Sequence, residues 1–419
     1  MGDRADEGAD MAGRVVVVGG GLAGAKVVEQ LRDRGHDGPV ALLGAETERP
    51  YERPPLSKGY LLGTDERSAA FVHDEGWYAE HGVDLRTGTR ARAIDLGSRD
   101  VVDTSGTRHP FDHLVLATGS RPRLLDVPGG DLEGVVHLRT LDDSDRLRAA
   151  LSSAQHVAVV GGGWIGLEVA AAARAAGCEV SLLVRDRLPL VKVLGPELAA
   201  LFARLHRDNG VDLRTGVAVT RVVPRGTGAR VGAVELDDGA LLEADLVVAA
   251  VGASPRTELA AQAGLTVDDG VVVDAHLRSS VPHVLAVGDV ARAWHPTLRT
   301  HLRVEHWATA LHQPETAAAT ICGLDEPYDA LPYFFTDQYD LGMEYTGWIG
   351  PQGYDEVVVR GDLDGRELVA FWLREGRVLA GMNVNVWDVV DDVTALVRSG
   401  AVVDRARLAD PDVSLGDLG

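Results

Sequence analysis

Two short stretches of this chain have the residue types and spacing to hold a diphosphate. Gly19-Gly20-Gly21-Leu22-Ala23-Gly24 and Gly161-Gly162-Gly163-Trp164-Ile165-Gly166 both read Gly-x-Gly-x-x-Gly. In such a turn the first glycine makes the tight bend. The second lets the backbone approach a diphosphate, and the third lets helix and strand pack closely. The anion then rests at the helix N-terminus, where free N–H groups and the dipole favour negative charge. A lone match is weak evidence against a plain glycine-rich turn. Two matches, each after an apolar strand and before a helical pattern, argue against coincidence. Two dinucleotide sites in one chain suggest that one nucleotide donates to the other; the alternative is a duplicated module with one inactive site.

The elements that must position these turns form a repeat at domain scale. In the first copy Arg14 to Val18 reads as a buried parallel strand, a helical pattern runs to about Arg34, and Val40 to Leu43 is the next strand. The second copy has His156 to Val160, an alanine-rich helix, and Glu179 to Val184. Each copy then carries a hairpin pattern (Val101 to Asp112; Val234 to Asp245) feeding an apolar strand that closes in Gly-x-x-Pro, ending at Pro122 and Pro255. Strands alternating with helices predict α/β doubly wound, Rossmann-like domains with parallel sheets. From about Leu324 the pattern changes to alternating, aromatic-rich strands (333–339, 356–360, 368–373) and a helix over about 386–399. The expected division is a flexible tail (1–13), a first dinucleotide-binding domain in two pieces (14–122 and 252–324), a second dinucleotide-binding domain (123–251) and a C-terminal α+β domain (325–419).

Composition narrows the function classes. The 419 residues are 45% hydrophobic and 25% charged, an ordinary globular balance. No run approaches the ~18 to 20 apolar residues of a membrane span. The polar start has no secretory pattern, and Met11 is an alternative start. A net charge of −22 disfavours nucleic acid, and an acidic protein partner would need a local cluster of cations. The two cysteines, Cys178 and Cys322, are far apart and in no redox or metal motif, which fits a reducing, cytoplasmic setting and argues against a dithiol relay. His301, His306 and His312 lack a metal-site spacing. No metal is expected.

Beyond the glycine turns, seven signatures stand in order: Pro50-Tyr-Glu-Arg-Pro-Pro-Leu-Ser-Lys58, Ala117-Thr-Gly119, His137-Leu-Arg-Thr140, Trp164-Ile-Gly-Leu-Glu168, Ala286-Val-Gly-Asp289, Arg303-Val-Glu-His-Trp307 and Asp337-Gln-Tyr339. With them the chain resembles, over about residues 14 to 400, the FAD-dependent ferredoxin reductases of bacterial oxygenase systems, and more distantly apoptosis-inducing factor. The resemblance implies that NAD(P)H passes hydride to FAD, and that single electrons then leave to a 2Fe-2S ferredoxin serving a monooxygenase or dioxygenase.

It also implies roles. Gly19, Gly21, Leu22, Ala23 and Gly24 would hold the FAD diphosphate, Asp289 with Gly288 the ribityl chain, and Arg121 and Arg139 would lie along the cofactor. Lys58 would sit near the reactive side of the flavin and pair with Glu168; a cation there stabilises a reduced flavin. Trp307 would stand at a helix start near the ring, where the dipole favours an anion. Trp164 would be the aromatic that shields the flavin and admits nicotinamide. Further cofactor contacts would come from Arg53, Pro54, Ala91, Ala117, Thr118, Gly119, Glu305 and His306. For the nicotinamide nucleotide they would come from Gly161, Gly163, Ile165, Gly166 and Gly252. An exposed cation at Lys58 and a core tryptophan at Trp307 are the plain alternatives.

Three departures from the pattern matter. The acid expected to bind the FAD adenosine ribose aligns with Ala45, and the adjacent Glu46 is the expected substitute. Phe335 stands where relatives carry tryptophan. The strand that usually ends in an Asp or Glu for the NADH ribose reads Val184-Arg185-Asp186-Arg187. Arg185 and Arg187 suit a 2′-phosphate, so NADPH is favoured over NADH, with Asp186 as the residue that would favour NADH. Arg292, Arg299 and Arg303 are candidates for docking the acidic ferredoxin, against ordinary solvated charge. Rubredoxin, oxygen or a quinone is the alternative acceptor, and a slow-turnover redox sensor is the rival of another class.

Overall fold

The computed structural model describes residues 12–418; the tail expected over 1–13 lies, through Met11, outside the described residues. The chain forms two compact units. The first comprises the described part of Met1–Glu52, with Ser68–Arg121 and Pro255–Pro332. The second comprises Arg53–Arg67, Pro122–Ser254 and the described part of Tyr333–Gly419.

The first unit is built on a parallel sheet in the order Val284–Ala286, His113–Leu116, Val15–Val18, Val40–Leu43, Val83–Arg86. Val15–Val18 is central and buried at all four positions, as a run without polar alternation must be. Truncating Val17, which is fully buried, to Ala would cost roughly 2 kcal/mol. Helix Leu22–Asp33 lays Val27, Val28 and Leu31 on the sheet. A three-stranded antiparallel sheet, Ala91–Asp95, Asp100–Asp103 and Arg108–Pro110, extends the expected hairpin by one strand.

The second unit repeats this plan. Its parallel sheet runs Asp212–Thr215, Glu179–Val184, His156–Val160, Leu246–Ala249, Val135–Val136. In both sheets the strand leading into the glycine turn is central, flanked by the next strand in sequence and by the one that follows the hairpin. Helix Trp164–Ala175 buries its four consecutive alanines, Ala170 to Ala173, small enough to let it lie close to the sheet.

The same unit carries an antiparallel sheet in the order Tyr333–Gln338, Leu341–Gly347, Arg377–Val384, Glu367–Arg374, Glu356–Asp362, covered by helix Val390–Ser399 through Val393 and Leu396. A kinked helix, Val191–Asp208, packs against it. Its break falls at Gly195, with φ 74°, where only glycine is at ease, and Pro196 restarts the helix. Beside the break, the buried Trp372 Nε1–H donates to the Leu194 carbonyl at 3.1 Å.

Candidate active site

The two glycine turns are built alike at their first, third and sixth positions. Gly19 has φ +131° and Gly161 has φ +121°, and a Cβ on either would run into the carbonyl of the following buried strand's end, Ala117 or Ala250. A Cβ on Gly24 would overlap the Gly19 carbonyl, and one on Gly166 the Gly161 carbonyl. At Gly21 and Gly163, by contrast, a Cβ meets nothing within 4 Å. The middle glycine of each turn therefore faces open space. Each is also the N-cap of its helix with no side-chain capping bond, so the first helical N–H groups are presented to whatever approaches. A tight bend, an open middle and a helix N-terminus fit a dinucleotide diphosphate in both units. The residues present thus fit a dinucleotide in each unit, the number that FAD together with a nicotinamide nucleotide requires.

In the first unit the turn is packed by residues from distant parts of the chain. Gly288, with φ +74°, faces Ala23, and its N–H donates to the buried Gln313 side chain at 2.7 Å. This fixes the 3-10 turn Gly288–Val290 that carries the half-buried Asp289. Burial pushes His306 down to about 4, opposed by the charge of Asp289. Trp307 opens helix Trp307–Ile321, and its Nε1–H donates to Glu52 at 3.1 Å. Glu305 accepts from Ser120 at 3.3 Å and from Arg303. Glu46 follows strand Val40–Leu43 and accepts from the Tyr51 hydroxyl, whereas Ala45 is exposed. Thr118 donates to the Arg256 carbonyl at 2.8 Å beside Gly119, itself at φ +63°. Ala91 begins its strand opposite Asp103. Arg121 is exposed and ion-paired with Glu258.

The second unit holds the charged pair. The segment Pro54–Ser57 is a 3-10 turn, set by its two prolines and by Ser144 donating to the Leu56 carbonyl at 2.9 Å. Lys58 follows, and its ammonium is ion-paired with Glu168. Glu168 is only 7% exposed and also accepts from Ser57 at 2.5 Å and from Thr336 at 2.6 Å. A buried carboxylate with three donors is a rigid anchor for a cation. The Lys58 Nζ lies 5.4 Å from the centre of the Phe335 ring. Burial raises the nearby Asp337, with Lys58 opposing and Glu168 and Glu344 reinforcing.

Trp164 lies one helical turn before Glu168. It meets Phe202 edge-on at 5.5 Å and Phe334 at 5.0 Å between ring centres. The neighbouring Ile165 is 43% exposed. Arg53 donates to the Arg139 carbonyl, so these two and Pro54 also belong to this unit. Gly252 has φ +102° beside Arg123. After strand Glu179–Val184, Arg185 and Arg187 are exposed, while the Asp186 carboxylate is engaged by Lys192 at 2.9 Å.

Sequence reasoning did not single out Ser57, Thr336, Gln313 or Glu52. Glu52 and Ser57 lie inside the quoted signature Pro50–Lys58 and Thr336 directly precedes Asp337–Tyr339, which is the signal that could have found them; Gln313 has none. Arg292 is ion-paired with Asp268, and Arg303 with Glu305 and Asp269, so Arg299 is the exposed member of that trio. Both cysteines are free and buried, and burial raises each thiol. Among the described residues no group of three or more His, Cys, Asp or Glu could hold a metal ion, and no helix is long and apolar enough to cross a membrane.

Comparison with known proteins agrees with this construction. Residues 13–313 match the model of the pyridine nucleotide-disulphide oxidoreductase family, and residues 333–419 match a reductase C-terminal domain. The chain is 41% identical to the ferredoxin–NAD(+) reductase component of the anthranilate 1,2-dioxygenase system of Burkholderia cepacia, covering 96% of this chain and 98% of that one. It is 38% identical to putidaredoxin reductase of Pseudomonas putida, over 96% of each chain. A crystal structure of the covalent putidaredoxin reductase–putidaredoxin complex superposes with a TM-score of 0.92 at 37% identity, covering 97% of both chains. The chain belongs to the pyridine nucleotide-disulphide oxidoreductase family, in the group that holds the ferredoxin reductase components of oxygenase systems.

Proposed function

We propose that this protein is an FAD-containing ferredoxin–NAD(P)+ reductase whose acceptor is a 2Fe-2S ferredoxin of an oxygenase system. The observation that carries the reading is the pair of like-built diphosphate cradles, one in each unit, each with its middle glycine open. When bound, FAD takes up a hydride from NAD(P)H and gives out two electrons singly, the chemistry a one-electron carrier requires.

The chain's own residues bind and tune. Gly19, Gly21 and Gly24 cradle the FAD diphosphate at the start of helix Leu22–Asp33, with Glu46 serving the adenosine ribose and Asp289 the ribityl chain. Gly161, Gly163 and Gly166 do the same for the nicotinamide nucleotide. Lys58 supplies a fixed positive charge that favours a reduced, anionic ring, and Glu168 keeps it placed. The ring of Trp164, steadied by Phe202 and Phe334, gives an aromatic surface at the nicotinamide turn. Trp307, at the N-terminal end of its helix, adds a positive dipole end towards the flavin. Arg185 and Arg187 select NADPH through its 2′-phosphate, since Asp186 is held by Lys192. With both thiols buried, electrons leave without a protein disulfide, and a reducing cytoplasmic location suits the free cysteines.

Anaerobic stopped-flow mixing of the purified protein with NADH and with NADPH tests this. Rapid bleaching of a bound flavin, followed by ferredoxin-dependent turnover that exceeds turnover with oxygen or quinone, is the expected result. A colourless protein that refuses added FAD would end the proposal.

A further inference from the structure

The second unit contains a chain of buried hydrogen bonds that ends on Glu168 and has no part in the function described so far. The Tyr339 hydroxyl lies 3.4 Å from His206 Nδ1, and His206 Nε2 lies 2.9 Å from Gln338 Oε1. Gln338 Nε2 donates to Thr336 Oγ1 at 3.1 Å, and Thr336 Oγ1 donates to Glu168 Oε1 at 2.6 Å. His206, Gln338 and Thr336 are at most 1% exposed.

Elementary donor and acceptor rules give this chain one direction. A carboxylate accepts only, so the Thr336 proton points at Glu168 and a Thr336 lone pair faces Gln338. The Gln338 amide must then turn its NH2 to Thr336 and its oxygen to His206. That oxygen also accepts only, so His206 carries its proton on Nε2 and offers a lone pair on Nδ1 to the Tyr339 hydroxyl. Burial keeps His206 neutral at physiological pH, as a ring with one proton must be. Every donor in the series points towards Glu168.

The local structure explains how three side chains come into line. Period-two alternation in strand Tyr333–Gln338 puts Phe334, Thr336 and Gln338 on the buried face, and Phe335 and Asp337 on the other. His206 stands on the buried side of the last turns of the kinked helix Val191–Asp208. Three polar groups in such a core are costly unless fully satisfied. Apolar side chains would fill the space with less risk, so their arrangement calls for a purpose.

We propose that Thr336, Gln338 and His206 are positioning residues: their one-way hydrogen-bond chain locks the Glu168 carboxylate in a single rotamer and through it holds the Lys58 ammonium in place. The consequence for electron transfer rests on the reading that Lys58 serves the flavin; the chain itself does not.

The test follows the reactivity of Lys58 in the protein as purified. The sequence contains three lysines, so Lys26 and Lys192 serve as internal standards for acetic anhydride labelling read by mass spectrometry from about pH 7 to about pH 10. Thr336→Val keeps the shape and removes the donor. Lys58 should label roughly five to ten times faster than in the parent, relative to the standards. Thr336→Ser should restore the parent rate. Gln338→Glu replaces the amide donor by an acceptor, draws the Thr336 proton away from Glu168, and should match the valine variant. Single-turnover reduction by NAD(P)H should slow in Thr336→Val and Gln338→Glu by a similar factor, with the coenzyme Kd unchanged. Unchanged or slower Lys58 labelling in folded Thr336→Val, or in Gln338→Glu should the valine variant not fold, overturns the proposal. Because labelling needs no flavin, a protein without bound FAD would sink the proposed function and leave this comparison intact.

Discussion

The carbonyl of Gly19 lies against the α-carbon of Gly24, so closely that no side chain can be accommodated at position 24. Gly161 and Gly166 stand in the same relation in the second unit. Two residues away in each turn, Gly21 and Gly163 have free space above them. One motif thus contains glycines required by the fold and a glycine required by the ligand.

Substitutions separate the two. Gly24→Ala should destabilise the protein by roughly 1–3 kcal/mol, because helix and strand must move apart. Gly21→Ala should leave the melting temperature of the flavin-free protein nearly unchanged and weaken FAD retention by about tenfold or more, because the methyl occupies the diphosphate's approach. Thermal melts and the flavin-to-protein absorbance ratio read the two effects. A Gly21→Ala protein that keeps its full flavin would remove this turn from the FAD site.

The Lys58–Glu168 pair should behave as a coupled unit. Lys58→Met leaves a buried carboxylate without its cation and should cost about 3 kcal/mol. Combining it with Glu168→Gln should cost clearly less than the sum of the two single changes. Urea unfolding of the four proteins gives the cycle; strict additivity would mean that the pair is not coupled.

Stability should fall in mild acid on account of His206. Burial holds this side chain down to about 4, against 6.5 for an ordinary histidine. Between those values the unfolded chain binds more protons than the fold, so stability rises with pH there. The contribution is complete above pH 6.5 and is lost as pH drops towards 4, on the order of 3 kcal/mol in all. Urea midpoints at about pH 7.5 and about pH 5 should differ less in His206→Gln than in the parent. Equal slopes would show that the histidine is not held neutral.

Coenzyme choice should rest on two exposed arginines. Arg185→Ala and Arg187→Ala should each lower kcat/KM for NADPH by roughly tenfold, with NADH changed much less. Lys192→Ala releases Asp186 and should shift preference towards NADH. Steady-state kinetics with both coenzymes decides the matter. Equal losses for NADH and NADPH would place the arginines elsewhere in the chemistry.

Much of this was legible in the order of residues because the signals are local. A buried parallel strand, a glycine turn and a following helix occupy about twenty consecutive positions, so both cradles could be read directly from Val15 and His156 onward. The segment read as helical over about 386–399 contains helix Val390–Ser399, and three strands of the C-terminal sheet were visible as alternation. Strands Leu341–Gly347 and Arg377–Val384 escaped notice: both lie inside the sheet and are buried on both faces over their last residues, Thr346 and Asn383 included, which blurs the period-two contrast.

What only the tertiary structure decided is which distant groups meet. The segment Arg53–Arg67 interrupts the first unit in sequence yet packs in the second, bringing Ser57 and Lys58 to Glu168, about 110 positions along. Thr336 reaches the same carboxylate from the C-terminal sheet, and His206 joins from a helix whose break at Gly195 sets its course. Residue type and spacing determine local conformation and ligand-ready turns, since backbone sterics and hydrophobic period act over a few residues. Donor and acceptor partners are chosen by where whole elements dock, and no local pattern encodes that.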